Sequence, residues 1–353
     1  MNKGFLFKIH SFSGLLSGIF VLAMSLSGAL LVFHDEIDSF QYPAFFTIEN
    51  KPVLTVDSCY SSLQKQFPHA QISSCILAET AKTPFIFSVY DSSFQKGTQT
   101  MQVFIHPQTG EILQIRGGSK DLRNNFMGWL TVFHNSFHLK KKGEWLLGFF
   151  GVLFLISIIS GVILYRKSIF SVLLFRKYMF RKANLHQLIG VYALLFNLVI
   201  GITGVWMQRY VFKKGFYASE QKFTPILTPY APLSFSIDNA LKNVYAQNTV
   251  FTSHVIYFGP NTKRKTAVYG SNSNNSFIHN KKLADAIFLD STGKIAKTAF
   301  VNDIAAESRY DIINAQIHYG RYGGWPVKIL YSILGLTGGL LSITGFLIWA
   351  RRN

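Results

Sequence analysis

Four apolar stretches that contain no charged residue constrain the fold of this chain more than any other feature of its sequence. A stretch of about 20 apolar residues is long enough to cross a bilayer as a helix. The first has 23 residues. A cleaved signal peptide has an apolar run of only about 7–15 residues, so we expect this stretch to be retained. The pattern predicts an α-helical membrane protein with spans at Ser11–Phe33, Trp145–Tyr165, Gln187–Gln208 and Ile329–Ala350.

The charged residues predict the orientation of these spans. The short segments 1–10, 166–186 and 351–353 hold ten Lys and Arg but no acid, whereas all 17 Asp and Glu lie in the long segments 34–144 and 209–328. Because short cytoplasmic segments are rich in Lys and Arg, we expect both termini and the middle loop in the cytoplasm. Much of the net charge of +18 is then a topology signal, so the expected partner is the lipid bilayer and not a nucleic acid.

An internal repeat links the spans to a set of histidines. Each span contains a Ser-Gly or Thr-Gly pair, and a histidine precedes this glycine by 18 residues in spans 1 and 3 and by 27 residues for spans 2 and 4. Two intervals that agree to the residue predict a duplicated chain. The histidines and their glycines are His10 with Gly28, His186 with Gly204, His134 with Gly161, and His318 with Gly345.

The two long segments between the spans repeat as well. Each begins with a helical pattern, near Val56–Phe67 and near Ile237–Ala246. Alternating strands follow, near His254–Phe258 and Thr266–Gly270 in the second segment. Each segment then has a Thr-Gly turn between apolar runs, which is a hairpin signal. Each half of the chain is therefore predicted to be a span, an α+β module and a second span.

The predicted fold is an internally duplicated four-helix transmembrane bundle with two outward α+β modules. Its predicted ranges are span 1 at 1–34, module 1 at 35–125, an interfacial helix and span 2 at 126–166, a cytoplasmic basic loop at 167–186, span 3 at 187–209, module 2 at 210–302, and an interfacial helix and span 4 at 303–353.

Histidines at the span ends are the candidate functional residues, because a histidine in or beside a span is costly and usually functional. His10 and His186 share one depth on the cytoplasmic side, and His134 and His318 are equivalent on the outer side. The longer interval would make a helix of about 40 Å, which exceeds the bilayer. We therefore expect His134 and His318 on interfacial helices, before breaks at 140–143 and 320–326.

Each pair is suited to a haem iron, since neutral imidazole is a strong iron ligand and a planar haem takes two axial ligands. Zinc is disfavoured because it takes three or four clustered ligands. A single interfacial histidine is also compatible with a polar anchor; the repeated pairs favour haem. His138 and His34 are alternatives to His134 or candidates for lining its pocket. Arg321 is a candidate for a charge-assisted bond to a haem propionate.

Small residues complete the sequence pattern. The span glycines, including Gly28 and Gly204, either allow close helix approach or leave room for a flat macrocycle. Cys59 and Cys75 both fall in module 1. They are compatible with a disulfide in an oxidising compartment and equally with two unpaired thiols, because their spacing does not decide the matter.

Several motifs together resemble a known family, the PepSY-associated transmembrane proteins, often called iron-regulated membrane proteins. The resemblance covers nearly the whole chain. The sequence differs at Lys140, where relatives tend to have Gly, and in the extra His138. The matching motifs are His10-Ser-Phe-Ser-Gly14, Glu36-Ile-Asp38, His134-Asn-Ser-Phe, Gly143-Glu-Trp-Leu-Leu-Gly148, Ile317-His-Tyr-Gly-Arg-Tyr-Gly-Gly324 and Thr344-Gly-Phe-Leu-Ile-Trp349.

The resemblance implies a function as well as a fold. It implies that each module is a PepSY fold and that His10, His186, His134 and His318 hold two haems b. Better-understood relatives are cytochromes of the bacterial inner membrane that reduce ferric siderophores in the periplasm and release Fe(II). The resemblance thus implies a haem-dependent ferric-siderophore reductase with a cytoplasmic reductase or a quinol as donor. No catalytic residue is expected beyond the haem ligands.

Two other functions stay open from the sequence. The first is a non-enzymatic membrane-anchored PepSY protein whose modules bind a periplasmic protein or peptide. The second is a transporter for the siderophore or for iron, which is disfavoured because spans without charged residues make a polar pathway hard to build. Haem content separates the reductase from the binding protein, and uptake without a change of iron valence would identify the transporter.

Overall fold

The computed structural model describes residues 2–41, 54–68, 70–78, 83–90, 100–118, 121–174, 182–214, 233–259, 265–272 and 282–351. They belong to two compact units. The helical unit comprises 1–34, 130–221 and 314–353, and the sheet unit comprises 35–129 and 222–313. Four basic residues used to predict the orientation, Arg176, Lys177, Arg181 and Arg352, lie outside the described residues.

Helices and strands alternate in blocks along the described chain. In order, the helices are α1 (Lys3–Leu31), α2 (His34–Gln41), α3 (Val56–Gln66), α4 (Phe126–Ser136), α5 (Lys140–Tyr165), α6 (Ile169–Leu173), α7 (Lys182–Tyr192), α8 (Leu194–Met207), α9 (Arg209–Lys214), α10 (Ile237–Gln247), α11 (Ala306–Tyr319) and α12 (Gly324–Ala350). The strands are β1 (Gln71–Ile76), β2 (Phe85–Tyr90), β3 (Thr100–Ile105), β4 (Ile112–Arg116), β5 (Phe251–Tyr257), β6 (Ala267–Asn272), β7 (Asp285–Leu289) and β8 (Ile295–Ala299).

The helical unit contains the membrane-spanning candidates. Within the described residues, α1, α5 and α12 are long and apolar enough to cross a membrane, and α7 with α8 is a fourth candidate if the bent pair is one span. The third span was expected to be continuous, but α7 and α8 meet at Ala193 with a bend of 66°. Asn197 lies one turn after the bend. Its Nδ2 donates to Ala193 O at 3.1 Å beside its own backbone N–H at 2.9 Å, and side chains that compete for an i−4 carbonyl bend helices.

The helix breaks before spans 2 and 4 differ from the predicted positions. The first lies at 137–139, between α4 and α5, and not at 140–143. Gly143 lies inside α5, and a Cβ there would overlap the carbonyl oxygen of Ser136. Its role is therefore close packing and not a helix break. The second break covers 320–323, with Gly320 at φ 64°, and α12 begins at Gly324.

The sheet unit joins the two predicted modules. All eight strands form one antiparallel sheet in the order β4-β3-β2-β1-β5-β6-β7-β8. Residues Ser74–Ile76 of β1 pair with Val255–Tyr257 of β5 at its centre. The modules are thus halves of a single sheet. This pairing satisfies the backbone groups that would otherwise be exposed at two strand edges.

A continuous apolar row crosses this sheet beneath α3 and α10, the two predicted helices. Its members are consecutive cross-strand partners from β4 to β7, and nearly all are buried. Burial of this kind contributes about 25 cal/mol per Å² of apolar surface and fixes which face of each strand is covered. The row is Ile115, Val103, Phe87, Cys75, Ile256, Val268 and Ile287.

The N-termini of α3 and α10 cap each other. The Asp57 carboxylate accepts hydrogen bonds from the backbone of Ile237 and Asp238 and from Ser236 Oγ. The Asp238 carboxylate accepts from the backbone of Val56 and Asp57. Burial alone would raise the pKa of Asp57, but its hydrogen bonds lower it. Burial raises the pKa of Asp238, and the adjacent Asp57 carboxylate adds to this rise. The exchange ties the two halves of the unit together.

Both cysteines of this unit are present as thiols. Cys59 on α3 and Cys75 on β1 are buried in the apolar core. Burial raises the pKa of Cys59 to about 11 and that of Cys75 well above its usual range. Thiols with raised pKa values are poor nucleophiles, so neither cysteine is a reactive group in this state.

Candidate functional site: two imidazole pairs

The four repeated histidines meet as two pairs within the helical unit. His10 on α1 and His186 on α7 have ring centroids 6.2 Å apart. His134 on α4 and His318 on α11 have ring centroids 6.5 Å apart. These are the pairs that the intervals of the sequence predict. The shared separation indicates that each pair can enclose one small group or ion between its rings.

Each histidine is held at Nδ1 by a group on a neighbouring span. Three of the acceptors are the hydroxyls of the Ser-Gly and Thr-Gly pairs, and the fourth is a backbone carbonyl one turn before such a pair. The hydrogen bonds are His134 to Ser27 Oγ at 2.8 Å, His318 to Thr203 Oγ1 at 2.9 Å, His186 to Thr344 Oγ1 at 2.9 Å, and His10 to Ser157 O at 2.8 Å.

These contacts fix the imidazole tautomer. A carbonyl oxygen only accepts, so Nδ1 of His10 carries the proton. Each of the three hydroxyls already donates to the carbonyl four residues before it and therefore accepts from the imidazole. Those bonds run from Ser27 to Ala23 O at 2.7 Å, from Thr203 to Val199 O at 2.8 Å and from Thr344 to Leu340 O at 2.7 Å. All four Nδ1 atoms are donors, which leaves each Nε2 with the lone pair that binds a metal.

The glycine of each pair makes room for the same ring. A Cβ added at Gly28 would lie 3.1 Å from His134 Cε1, and one at Gly161 would lie 2.9 Å from His10 Cε1. Gly204 and Gly345 face His318 Cε1 and His186 Cε1 in the same way, at 3.3 and 3.4 Å. We expected Gly28 and Gly204 to serve helix packing or to accommodate a macrocycle. The structure places them against the imidazoles.

The pairs fit a haem iron bound between two axial imidazoles. A metal–imidazole bond is about 2.0–2.1 Å long, and the centroid of the ring lies ~1.1 Å beyond the nitrogen. Two imidazoles on opposite sides of one metal ion would therefore have ring centroids ~6.3 Å apart. The observed 6.2 and 6.5 Å agree with this value. A zinc site fits less well, because no cluster of three or more His, Cys, Asp or Glu that could hold a metal occurs among the described residues.

A cavity of about 940 Å³ contains the His10–His186 pair. Apolar side chains of the spans line most of it, together with Gly14, Gly161 and Lys8. Its volume lies at the upper end of the usual range of about 300–1,000 Å³ for cofactor and ligand sites. The pair therefore lies in a cavity large enough for a macrocycle and not in a closed helix interface.

A family comparison bears on this arrangement. The model of the PepSY-associated TM region matches residues 7–352. The chain belongs to this family. The match contains both imidazole pairs and all four Ser-Gly or Thr-Gly motifs. No curated protein matches the sequence.

The remaining sequence candidates of this PepSY-associated TM protein lie at the periphery of the site. His138 follows α4 at φ 59°, and its ring lies against Phe133, with centroids 6.5 Å apart. The paired ring is that of His134. His34 begins α2 and is half-buried. Arg321 is exposed and its guanidinium lies 5.6 Å from the ring centroid of Tyr319.

Sequence reasoning missed two polar residues of this PepSY-associated TM protein. Asn197 bridges α8 and α12 through a hydrogen bond to Thr337 Oγ1 at 3.0 Å and lines the cavity. Asn314 lies on α11, four residues before His318, and is buried. A carboxamide within an apolar span was the available signal for Asn197. The helical i, i+4 spacing to His318 was the signal for Asn314.

Proposed function

We propose that this membrane protein is a di-haem b-type cytochrome that carries electrons across the bacterial inner membrane to reduce a ferric siderophore or another ferric chelate in the periplasm. One observation carries the proposal: two partly buried imidazole pairs in which every Nδ1–H is engaged by a neighbouring span. This leaves four neutral Nε2 atoms available as ligands, on rings whose centroids are 6.2 and 6.5 Å apart.

The protein's own residues have distinct roles in this proposal. His10 with His186, and His134 with His318, would hold the two haem irons. The acceptors at Nδ1 hold each ring in one tautomer and one orientation and raise the basicity of the ligating nitrogen. The apolar side chains that line the cavity give this site low polarity. A haem bound in this way supplies reversible one-electron transfer.

The charge distribution supports the proposed topology. Lys and Arg predominate in the short segments at the termini and between spans 2 and 3, so these are assigned to the cytoplasm. The sheet unit is then periplasmic, together with the substrate chelate. Electrons come from a cytoplasmic reductase or a quinol. Hard oxygen ligands bind Fe(III) better than Fe(II), so reduction of the substrate releases the iron.

The test is the visible spectrum of the detergent-purified protein, oxidised and then reduced with dithionite, with a pyridine haemochrome count. We expect a sharp reduced α-band and about two haems b per chain. Addition of a ferric siderophore to the reduced protein is expected to reoxidise it and to release Fe(II). A colourless protein that also refuses added haemin contradicts the proposal and leaves a binding role for the sheet unit.

The broken third span favours a second candidate function, transport of the siderophore or its iron. Discontinuous helices surround the substrate sites of many transporters, and the bend at Ala193 lies close to Asn197, which lines the cavity. Proteoliposomes loaded with an Fe(II) chelator and supplied with a ferric siderophore separate the two functions. Uptake of intact ferric siderophore without any change of valence would identify a transporter.

A further inference from the structure

Asn314 belongs to a short chain of contacts that ends at His318. It is 2% exposed. Its Nδ2 donates to the backbone oxygen of Thr203 at 3.2 Å, and the Thr203 hydroxyl accepts from His318 Nδ1 at 2.9 Å. Side chains four residues apart on a helix are neighbours, with Cβ atoms about 5–6 Å apart. Asn314 therefore lies beside the His134–His318 pair and is fixed by the same residue that fixes His318.

The other end of this carboxamide has no hydrogen bond. Asn314 Oδ1 is buried and has no partner among the described residues. Its orientation is set by Thr203, because a flipped amide would put Oδ1 against the Thr203 carbonyl, where two acceptors would meet. A buried acceptor without a donor destabilises a protein. Asn314 is thus a polar group whose missing partner must be a donor.

The other histidine of the pair lacks this feature. Leu130 occupies the corresponding place, four residues before His134, and is also buried. A leucine at this place is compatible with the α4 helix and with the same kind of Ser-Gly contact at His134. The carboxamide is therefore not required to hold a histidine of this type. Its presence on the His318 side alone indicates an additional role.

We propose that Asn314 Oδ1 accepts a hydrogen bond from a hydroxyl donor that arrives with the group bound by His134 and His318. This inference rests on the proposed function. A metallated porphyrin has lost its ring N–H protons, so the donor is either a protonated propionic acid of the haem or a water bound with it. Asn314 is then a contact residue of the His134–His318 site, and Thr203 links this contact to the orientation of His318.

The experiment uses the full-length His186→Ala chain, in which only the His134–His318 pair is complete. Haemin is titrated into this chain with and without Asn314→Leu, and melting of the ligand-free proteins is followed in parallel. Asn314→Leu is expected to weaken haemin binding about tenfold or more without lowering the melting temperature of the ligand-free protein, since it removes the unsatisfied acceptor. The exposed Asn239→Leu on α10 is the matched control and is expected to change neither quantity.

Asn314→Asp tests the same contact with an isosteric side chain. When protonated, it can donate to Thr203 O and accept at its other oxygen, as asparagine does. Burial raises the pKa of a carboxyl group, so haemin binding is expected to be closest to that of Asn314 at low pH and to weaken relative to it as the pH rises and the carboxylate ionises. Haemin dimethyl ester identifies the donor. If it is a propionic acid, the ester abolishes the advantage of Asn314 over Leu; if it is water, the advantage persists.

The outcomes separate this inference from the proposed function. If neither the original chain nor His186→Ala takes up haemin, the proposed function fails and this inference fails with it. If His186→Ala binds haemin and Asn314→Leu binds it equally well, only the role of Asn314 is overturned. A merely structural role of Asn314 predicts a different result. Ligand-free Asn314→Leu would then melt at a lower temperature, and haemin would stabilise it as much as it stabilises the chain with Asn314. That result would also overturn the role of Asn314.

Discussion

The hydroxyl of Thr203 offers the sharpest test of how the imidazoles are held. Thr203→Val replaces this hydroxyl by a methyl group of nearly the same shape and removes the acceptor 2.9 Å from His318 Nδ1. A buried donor left without a partner costs about 1–3 kcal/mol, which corresponds to roughly 5- to 150-fold in affinity. Loss of a partner behind a metal-binding histidine costs about 10- to 100-fold. We therefore expect haemin to bind the His134–His318 pair about 10- to 100-fold more weakly.

The assay is a haemin titration of the His186→Ala chain, followed at the Soret band. Thr203→Ser keeps the hydroxyl and is expected to bind haemin nearly as well as threonine. Thr344→Val alters the other pair, whose His186 is already absent from this chain, and is expected to leave this titration unchanged. The reasoning is refuted if Thr203→Val binds haemin as tightly as threonine, if serine loses as much affinity as valine, or if Thr344→Val has the same effect.

Three further predictions follow from the same structure. His10→Ala should lose about one haem per chain and His318→Ala the other, so haemochrome counts in which both variants keep two haems contradict the pairing. Gly161→Ala, whose Cβ would lie 2.9 Å from His10, should reduce haem content more than Gly345→Ala, at 3.4 Å; equal losses would contradict this. Asp57→Ala should destabilise the sheet unit by about 1–2 kcal/mol in denaturant titrations. The pKa of Asp57 lies below its ordinary value of 3.8. The stability that the Asp57 carboxylate contributes is therefore present above pH 3.8 and is lost as the pH falls below it. If Asp57→Ala lowered the stability of the protein as much in strong acid as at neutral pH, this reasoning would be wrong.

The sequence predicts the helices and strands of this fold better than it predicts how they pair and where they bend. The absence of charge located the spans, and the helical and alternating patterns located the helix and the strands of each module. The pairing of β1 with β5 was not foreseen, because it depends on backbone groups that every strand carries. The bend at Ala193 was not foreseen either. The stretch is apolar enough to pass as one span, so its hydropathy gives no sign of the bend, and the carboxamide side chain beside the bend, that of Asn197, was not singled out.

The candidate site shows a similar division. The intervals identified His10, His186, His134 and His318 because a duplicated spacing is visible along one chain. Ser27 and its counterparts were recognised only as markers of the repeat, since a hydrogen bond between different helices leaves no periodic signal. The partner of His10 was the least predictable, because the Ser157 carbonyl belongs to the backbone and has no residue-type signature.

The difference between His10 and the other three histidines has a physical consequence. A hydroxyl can donate or accept, and Ser27, Thr203 and Thr344 accept from an imidazole because each donates to the carbonyl four residues before it. The Ser157 carbonyl can only accept, which makes the Nδ1–H tautomer of His10 obligatory. Because Ser160 Oγ donates to the same carbonyl at 3.0 Å, that oxygen is fixed from two sides. Substitution of Ser27, Thr203 or Thr344 can therefore change the tautomer of the histidine that it contacts. The tautomer of His10 is set by a backbone carbonyl of α5, which a side-chain substitution does not remove.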